Sequence, residues 1–210
     1  MQDFQQMTVA DLSALTASNA PVPGGGSISA MTGAYAASLV CMVAKLTLGR
    51  ARYEAAQDIM KQADAQAEAL RLSLLEGITK DSASFDAFMQ ALTLPKDTDE
   101  EKQARQAAMQ AGLKSACEVP LASARNIHQV LKLALDMLKH GNANALSDGQ
   151  VAALLARSAL IGAISNVRIN LPGIKDEAFA ARMREACDHL EQEAHRLENE
   201  AVQTAKNREG

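Results

Sequence analysis

From residue 20 to residue 44 the chain carries no charged side chain, and this run opens on Pro21-Val22-Pro23-Gly24-Gly25-Gly26-Ser27. About 18 or more uncharged apolar residues in a row are the usual mark of a membrane-spanning helix. Here the first part reads as a turn, and the remainder is diluted by Ala, Gly, Ser and Thr, which leaves too little apolar area for lipid. The expectation is a helix buried on all sides by protein, with no membrane partner. Three consecutive glycines before such a helix sacrifice backbone entropy, and two explanations stand. Bare N–H groups at the helix N-terminus hold a carboxylate or phosphate, or the glycines only let the chain turn tightly against a neighbouring helix. No Gly-Lys-Ser/Thr follows, so the loop is not a P-loop.

What packs around that helix follows from composition. The chain has 41 Ala but only four Phe, two Tyr and no Trp, so its core is built from small and aliphatic groups. Alanine has the lowest helix cost, while strands favour the aromatic and β-branched residues that are scarce here. The predicted fold class is all-α: one domain over residues 1–210, a bundle of long antiparallel helices. At 22.3 kDa folding hides roughly 70% of the chain's surface, enough for a real core. A net charge of −4 with both signs interspersed gives no basic stripe for nucleic acid. Cys41, Cys117 and Cys187 are odd in number and lack metal-ligand spacing, which suggests neither disulfides nor zinc and points to a reducing cytoplasm. The first residues, MQDFQQ, do not read as a secretory signal.

Helix signals divide the chain further. Thr8 with Asp11 resembles an N-cap box for a short helix through Leu15. Ser27 is expected to cap the next helix, whose Ile28, Met31, Tyr35, Leu39, Met42 and Leu46 recur at spacings of three and four. Ala30, Gly33, Ala34, Ala37 and Ser38 form its small-residue face, against which a second copy of the chain can pack, so a homodimer is expected. Gly49 stops this helix, and residues 50–92 read as a long helix interrupted near Gly77. Thr98 and Glu101 form a capping box for a helix toward His140, kinked or broken at Pro120. GNANALSD forms a loop, a helix starts at Ser147 or Asp148 and runs to Asn170, Pro172-Gly173 ends it, and residues 175–208 form the last helix.

Few residues carry chemistry on this reading. Asp81, in TKDSASFDAF, lies a turn before Phe85, and partial desolvation there would raise its pKa into the range useful for proton transfer; a solvated surface carboxylate is the plain alternative. Asn166 and Asn170, one turn apart on an apolar helix with Arg168 between them, are either an interhelical hydrogen-bond network or amides that recognise a heterocyclic ligand. The four histidines lack metal spacing and read as surface or capping residues. Cys41 reads as a small core residue.

Several separated segments occur in a recognisable order: PVPGGGSISAMTGAYAASLVCMVAKLTLGR, DSASFDAFMQALTLPKDTDEEKQAR, EVPLASA, GNANALSD and NVRINLPGIKDEAF. Over residues 7–205 the chain resembles the cyclodeaminase/cyclohydrolase family, which includes the C-terminal part of formiminotransferase-cyclodeaminase and free-standing methenyltetrahydrofolate cyclohydrolases. The resemblance implies a helical homodimer that takes a tetrahydrofolate derivative as substrate, with no metal and no tightly bound cofactor. The family's acid in its DxxxF motif matches Asp81, the implied catalytic residue. Its PGGGS, LPK, GNxNAxSD and NxxIN motifs match Pro23, Gly24, Gly25, Gly26, Ser27, Lys96, Asn142, Asn144, Ser147, Asp148, Asn166 and Asn170 as substrate-binding or scaffold positions. Arg50, Lys96 and the 24–26 loop are the candidates to hold the anionic folate tail. Lys45 departs from the family pattern, where a neutral residue is common.

Two reactions fit these residues. Cyclodeamination of 5-formiminotetrahydrofolate, placed first, has N10 attack the amidine carbon and release ammonia. Cyclohydrolase chemistry adds water to the 5,10-methenyl carbon and opens the ring. A non-catalytic folate-binding or scaffolding dimer is the reading from another class.

Overall fold

The computed structural model describes residues 4–209, and among these there are helices and turns but no strand. α1 (Val9–Thr16) is short, and four long helices follow: α2 (Gly25–Thr47), α3 (Gln57–Leu92), α4 (Asp99–His140) and α5 (Leu146–Asn170). The last helix is α6 (Glu177–Glu209). α2 packs along α3 and α5 and crosses α4, while α6 lies on α4 and α5. Ser27 of α2 meets Asp81 of α3, and Cys41 of α2 meets the Asp64 carbonyl, so the two helices run in opposite directions.

Local chemistry explains most helix ends. The Thr8 hydroxyl accepts from the Asp11 N–H and opens α1. Thr98 and Glu101 exchange both bonds of a capping box at the start of α4. Gly49 takes φ 72 just past the end of α2, a left-handed conformation that glycine adopts at little cost. Four expectations are corrected. The 50–92 segment begins with a 3₁₀ stretch, Ala51–Ala56, and α3 then runs without interruption at Gly77, because that glycine is a packing position whose added Cβ would meet Ser123 and Ala30. α4 is also unbroken at Pro120, where buried Cys117, Leu121 and Ala124 hold both sides of the proline against the core. α5 begins at Leu146, after a 3₁₀ turn Ala143–Ala145, so Ser147 and Asp148 lie in its first turn instead of capping it. α6 starts at Glu177.

The faces of α2 are the reverse of those expected from side-chain size. Its small residues Ala30, Gly33, Ala34 and Ala37 face inward, where a Cβ on Gly33 would collide with Ile127. That face is consumed within the chain and is closed to a second copy. The larger Tyr35, Met42 and Leu46 are exposed, so α2 is not buried on all sides. By length and apolar content alone, Gly25–Thr47 and Ala143–Gly173 do reach the level of a bilayer span, contrary to the sequence expectation, and most of the α2 window is buried inside the protein.

Cys41, Cys117 and Cys187 are buried core residues. His128 is not a surface residue: it is buried in α4 with Nε2 unpaired. Desolvation, then the nearby Lys132 charge, holds its pKa below the ordinary histidine value, with His189 and Arg196 of α6 adding to that and Glu193 opposing it. The unfolded chain therefore binds a proton that the folded chain resists, and stability falls as pH drops below about 6.5. Denaturant titrations between pH 7.5 and 5 should show this loss, and His128→Leu should flatten it; an unchanged slope in the variant would assign the effect to other groups.

Candidate active site

α2 begins without a side-chain cap. Gly24, in an extended conformation, precedes its first turn, and Ser27 turns inward instead of capping, a correction to the sequence reading. Fully buried, the Ser27 hydroxyl donates to Asp81 Oδ2 at 2.9 Å, with Ser82 Oγ 3.1 Å away and the Ile78 carbonyl at 3.2 Å. The Ser27 backbone N–H also donates to the Asp81 carboxylate. The glycines make this geometry possible. A Cβ on Gly26 would collide with the Asp81 carboxyl, and one on Gly25 would lie 3.1 Å from Asn166 Nδ2. Close approach therefore demands glycine at 26 and leaves little room at 25, and what approaches is an acid from α3 and an amide from α5.

Asp81 is poised between opposing effects. Burial raises its pKa and is the largest influence, while the Ser27 hydroxyl and N–H favour the ionised form and partly offset it. The net direction is upward, which suits a group that must both take and return a proton. Asn166 donates to the Gly162 carbonyl at 2.8 Å, and Asn170 donates to the Ala116 carbonyl of α4 at 3.1 Å and to the Asn166 carbonyl at 2.9 Å. Their amides thus serve a backbone network as well as lining this corner. Arg168 is not part of it, since its guanidinium binds Asp188 and Glu191 of α6.

The remaining expected residues lie elsewhere. Asn142 is buried at the other end of α2, where its N–H donates to Thr47 Oγ1 at 2.8 Å and its amide to the Leu46 carbonyl at 3.1 Å. Its Oδ1 accepts from the Asn144 N–H and from the Tyr53 hydroxyl. Asn144 lies in the Ala143–Ala145 turn, Ser147 and Asp148 lie in the first turn of α5, and Arg50 precedes the 3₁₀ stretch that carries Tyr53. Tyr53 was not expected from the sequence; one of only two tyrosines, four residues after Gly49, it had no motif to mark it. α2 has 23 residues, so about 33 Å separates this cluster from Asp81 within one chain. Lys96 stands instead at the α3–α4 turn, beyond the Asp81 end, and not with Arg50. Lys45 is held by Asp64 of α3 at 3.1 Å. Among the described residues, no three His, Cys, Asp or Glu side chains stand together as a metal site.

The family model described as formiminotransferase-cyclodeaminase matches residues 8–189. The chain belongs to this family. It is 42% identical over 192 residues to a methenyltetrahydrofolate cyclohydrolase of Methylorubrum extorquens, covering 91% of this chain and 92% of that protein. It is 37% identical over 177 residues to the formimidoyltransferase-cyclodeaminase of Sus scrofa, covering 84% of this chain but 33% of that longer protein. The structure is similar to a formiminotetrahydrofolate cyclodeaminase of Thermotoga maritima, with a TM-score of 0.87, 27% identity, and coverage of 97% and 98% of the two chains. Like these family members, the chain is an enzyme of the cyclohydrolase or cyclodeaminase type acting in folate one-carbon chemistry.

Ser27 gives a direct test of the electrostatics at Asp81. Ser27→Ala removes a donor that favours the carboxylate, so the Asp81 pKa should rise further. The carboxyl carbon resonance of labelled Asp81, followed against pH by NMR, should then titrate at higher pH than in the parent. An identical midpoint would show that the hydroxyl does not act on Asp81.

Proposed function

We propose that Asp81 is the acid/base group for reaction at the carbon joining N5 and N10 of tetrahydrofolate, and that the reaction is hydrolysis of the 5,10-methenyl compound to the 10-formyl compound. The observation that carries the site is the half-buried carboxyl held on the Ser27 hydroxyl and N–H at the N-terminal end of α2. Water adds to the methenyl carbon as Asp81 takes one of its protons; that proton passes to N5 as the carbon–N5 bond breaks, and the remaining hydroxyl proton is released to solvent as the formyl C=O forms. Similarity over 91% of this chain and 92% of the Methylorubrum cyclohydrolase supports this reading, which we put ahead of ammonia release, the reverse of the order taken from the sequence.

Cyclodeamination is the second reading, favoured by the similarity to the Thermotoga cyclodeaminase. There Asp81 accepts the N10 proton as N10 bonds to the amidine carbon, and returns a proton to the amino group that leaves as ammonia. Proton transfer by one placed group contributes about 10²–10⁴-fold, and holding N5 and N10 in reactive geometry adds to it. Asp81→Asn keeps the volume and removes the proton. It should lower kcat/KM by about 10²–10⁴-fold on the substrate the parent uses, with folate binding retained. Supplying the 5,10-methenyl and 5-formimino compounds separately distinguishes the reactions. Full activity in Asp81→Asn would transfer the role to another acid, Asp148 being the next candidate, and a parent that binds folate but turns over neither compound would make this a binding protein.

The working unit in this proposal is a homodimer. Tyr35, Met42 and Leu46 of α2 and Val151, Leu154 and Ile169 of α5 are exposed on two neighbouring antiparallel helices. Arg157 and Arg168 of α5 are turned away to α6, while Lys45, Glu68 and Arg71 stand beside Met42 and Leu46. The chain's accessible surface of 10829 Å² exceeds by roughly 1,400 Å² what a folded monomer of its mass exposes, and a standard interface takes about 800 Å² from each partner. A two-fold pairing of α2 with its copy brings the Asn142 end of one chain to the Asp81 end of the other and reunites the family motifs. Light scattering should give about twice 22.3 kDa, and Met42→Glu with Leu154→Glu should halve it and abolish turnover. A fully active monomer would remove the dimer from the mechanism.

A further inference from the structure

Two buried serine hydroxyls meet beside the Asp81 carboxyl. Ser27 is fully buried and Ser82 is 1% exposed. Ser27 Oγ has three oxygens within reach, Asp81 Oδ2 at 2.9 Å, Ser82 Oγ at 3.1 Å and the Ile78 carbonyl at 3.2 Å, yet it carries a single proton. The carbonyl only accepts, so Ser82 is the neighbour that can donate to Ser27 while Asp81 is ionised. Ser82 Oγ also lies 3.4 Å from the Ile78 carbonyl, which gives its own proton two destinations. Ser84 differs, since it donates to the Asp81 main-chain carbonyl at 2.7 Å. The charged groups around this corner are engaged elsewhere or exposed. α2 has no charged residue before Lys45, which Asp64 holds, and Lys80 of α3 pairs with Glu76. Arg168 of α5 binds Asp188 and Glu191, Asp11 of α1 accepts from Thr8, and Glu118 of α4 is exposed. Asp86 of α3 stands about 140° round the helix from Asp81.

These contacts give one arrangement for each protonation state of Asp81. With the carboxyl ionised, the Ser27 proton points to Oδ2, and the side of Ser27 Oγ that faces Ser82 accepts the Ser82 hydroxyl. With the carboxyl protonated, its O–H donates to Ser27 Oγ, the Ser27 proton swings to the Ile78 carbonyl or to Ser82 Oγ, and Ser82 turns to the carbonyl. The hydroxyls only rotate; the proton gained or lost is the one on Asp81. We infer that Ser82 is a positioning residue for Asp81: its hydroxyl holds Ser27 as a donor to the ionised carboxylate and frees it to accept when the carboxyl is protonated. The inference rests on the acid/base reading of Asp81 above. A group that takes and returns a proton needs a partner in both states, and a backbone N–H such as that of Ser27 serves the ionised state alone. A hydroxyl serves both, because it donates and accepts. Ser82 stands about 100° round α3 from Asp81, which directs it at Ser27 instead of at the carboxyl.

The test follows the labelled Asp81 carboxyl carbon against pH by NMR, which needs no turnover, in the parent, Ser82→Ala, Ser27→Ala and the double variant. Ser82→Ala weakens Ser27 as a donor, so the carboxylate is less favoured and the midpoint should move to higher pH, by less than in Ser27→Ala. In the double variant the midpoint should equal that of Ser27→Ala, because Ser82 then has no hydroxyl to act through. On the acid side of the pH–rate profile, Ser82→Ala should lower kcat about three- to tenfold, the effect of one hydrogen bond, with KM unchanged. Ser84→Ala removes a buried hydroxyl from the same turn and should leave midpoint and profile as in the parent, with circular dichroism confirming the helical fold of every variant. An unchanged midpoint in Ser82→Ala, an equal shift in Ser84→Ala, or a double variant whose shift is the sum of the single ones would each overturn the inference. The expected titrations in a parent that turns over neither folate compound would overturn the acid/base reading and leave the hydroxyl pair standing.

Discussion

The arrangement at the Asp81 end depends on the absence of side chains at Gly25 and Gly26. A single methyl at Gly26 would occupy the position of the Asp81 carboxyl, and one at Gly25 would press on Asn166. With both missing, an acid from α3 and an amide from α5 come up to the first turn of α2, where the N–H groups are free of intrahelical partners. The carboxyl then experiences two effects of opposite sign. Burial disfavours its charge, while the helix N-terminus and the Ser27 donors favour it. The net direction is upward, so burial outweighs the donors.

α2 also organises the molecule at larger scale. Its inward face is made of small residues, so α3, α4 and α5 approach closely and the core needs few aromatic side chains. Polar chemistry is thereby displaced to the two ends of an apolar rod. At one end are Asp81 and Asn166, and at the other the Asn142 side chain ties Leu46, Tyr53 and Asn144 into one turn. Large apolar residues remain exposed on α2 and α5, and the proposed pairing of two chains rests on them.

Signals confined to a few consecutive residues were legible. The Thr98–Glu101 capping box, the Thr8 cap, the glycine stop at Gly49 and the Pro172-Gly173 terminator all act within one helical turn, and the structure has them where the sequence places them. Signals whose outcome depends on a distant partner were not. Gly77 reads as a breaker but is the contact that admits Ser123, Ser27 reads as a cap but is drawn inward by Asp81, and His128 reads as a surface residue but is covered by α6. In each case the local preference amounts to about 1 kcal/mol or less, and burial against another helix outweighs it.

By itself the sequence determined an all-helical chain, the helix ends governed by local capping, and, through its ordered motifs, the family. Only the tertiary structure decided which face of α2 is inside, that the motif residues divide between two ends of the molecule, and that Ser82 meets Ser27 across 55 residues of chain. The physical reason is range. Hydrogen bonding and backbone propensity act between neighbours in sequence, whereas close packing and electrostatic juxtaposition act between neighbours in space, and those are set only once the helices have met.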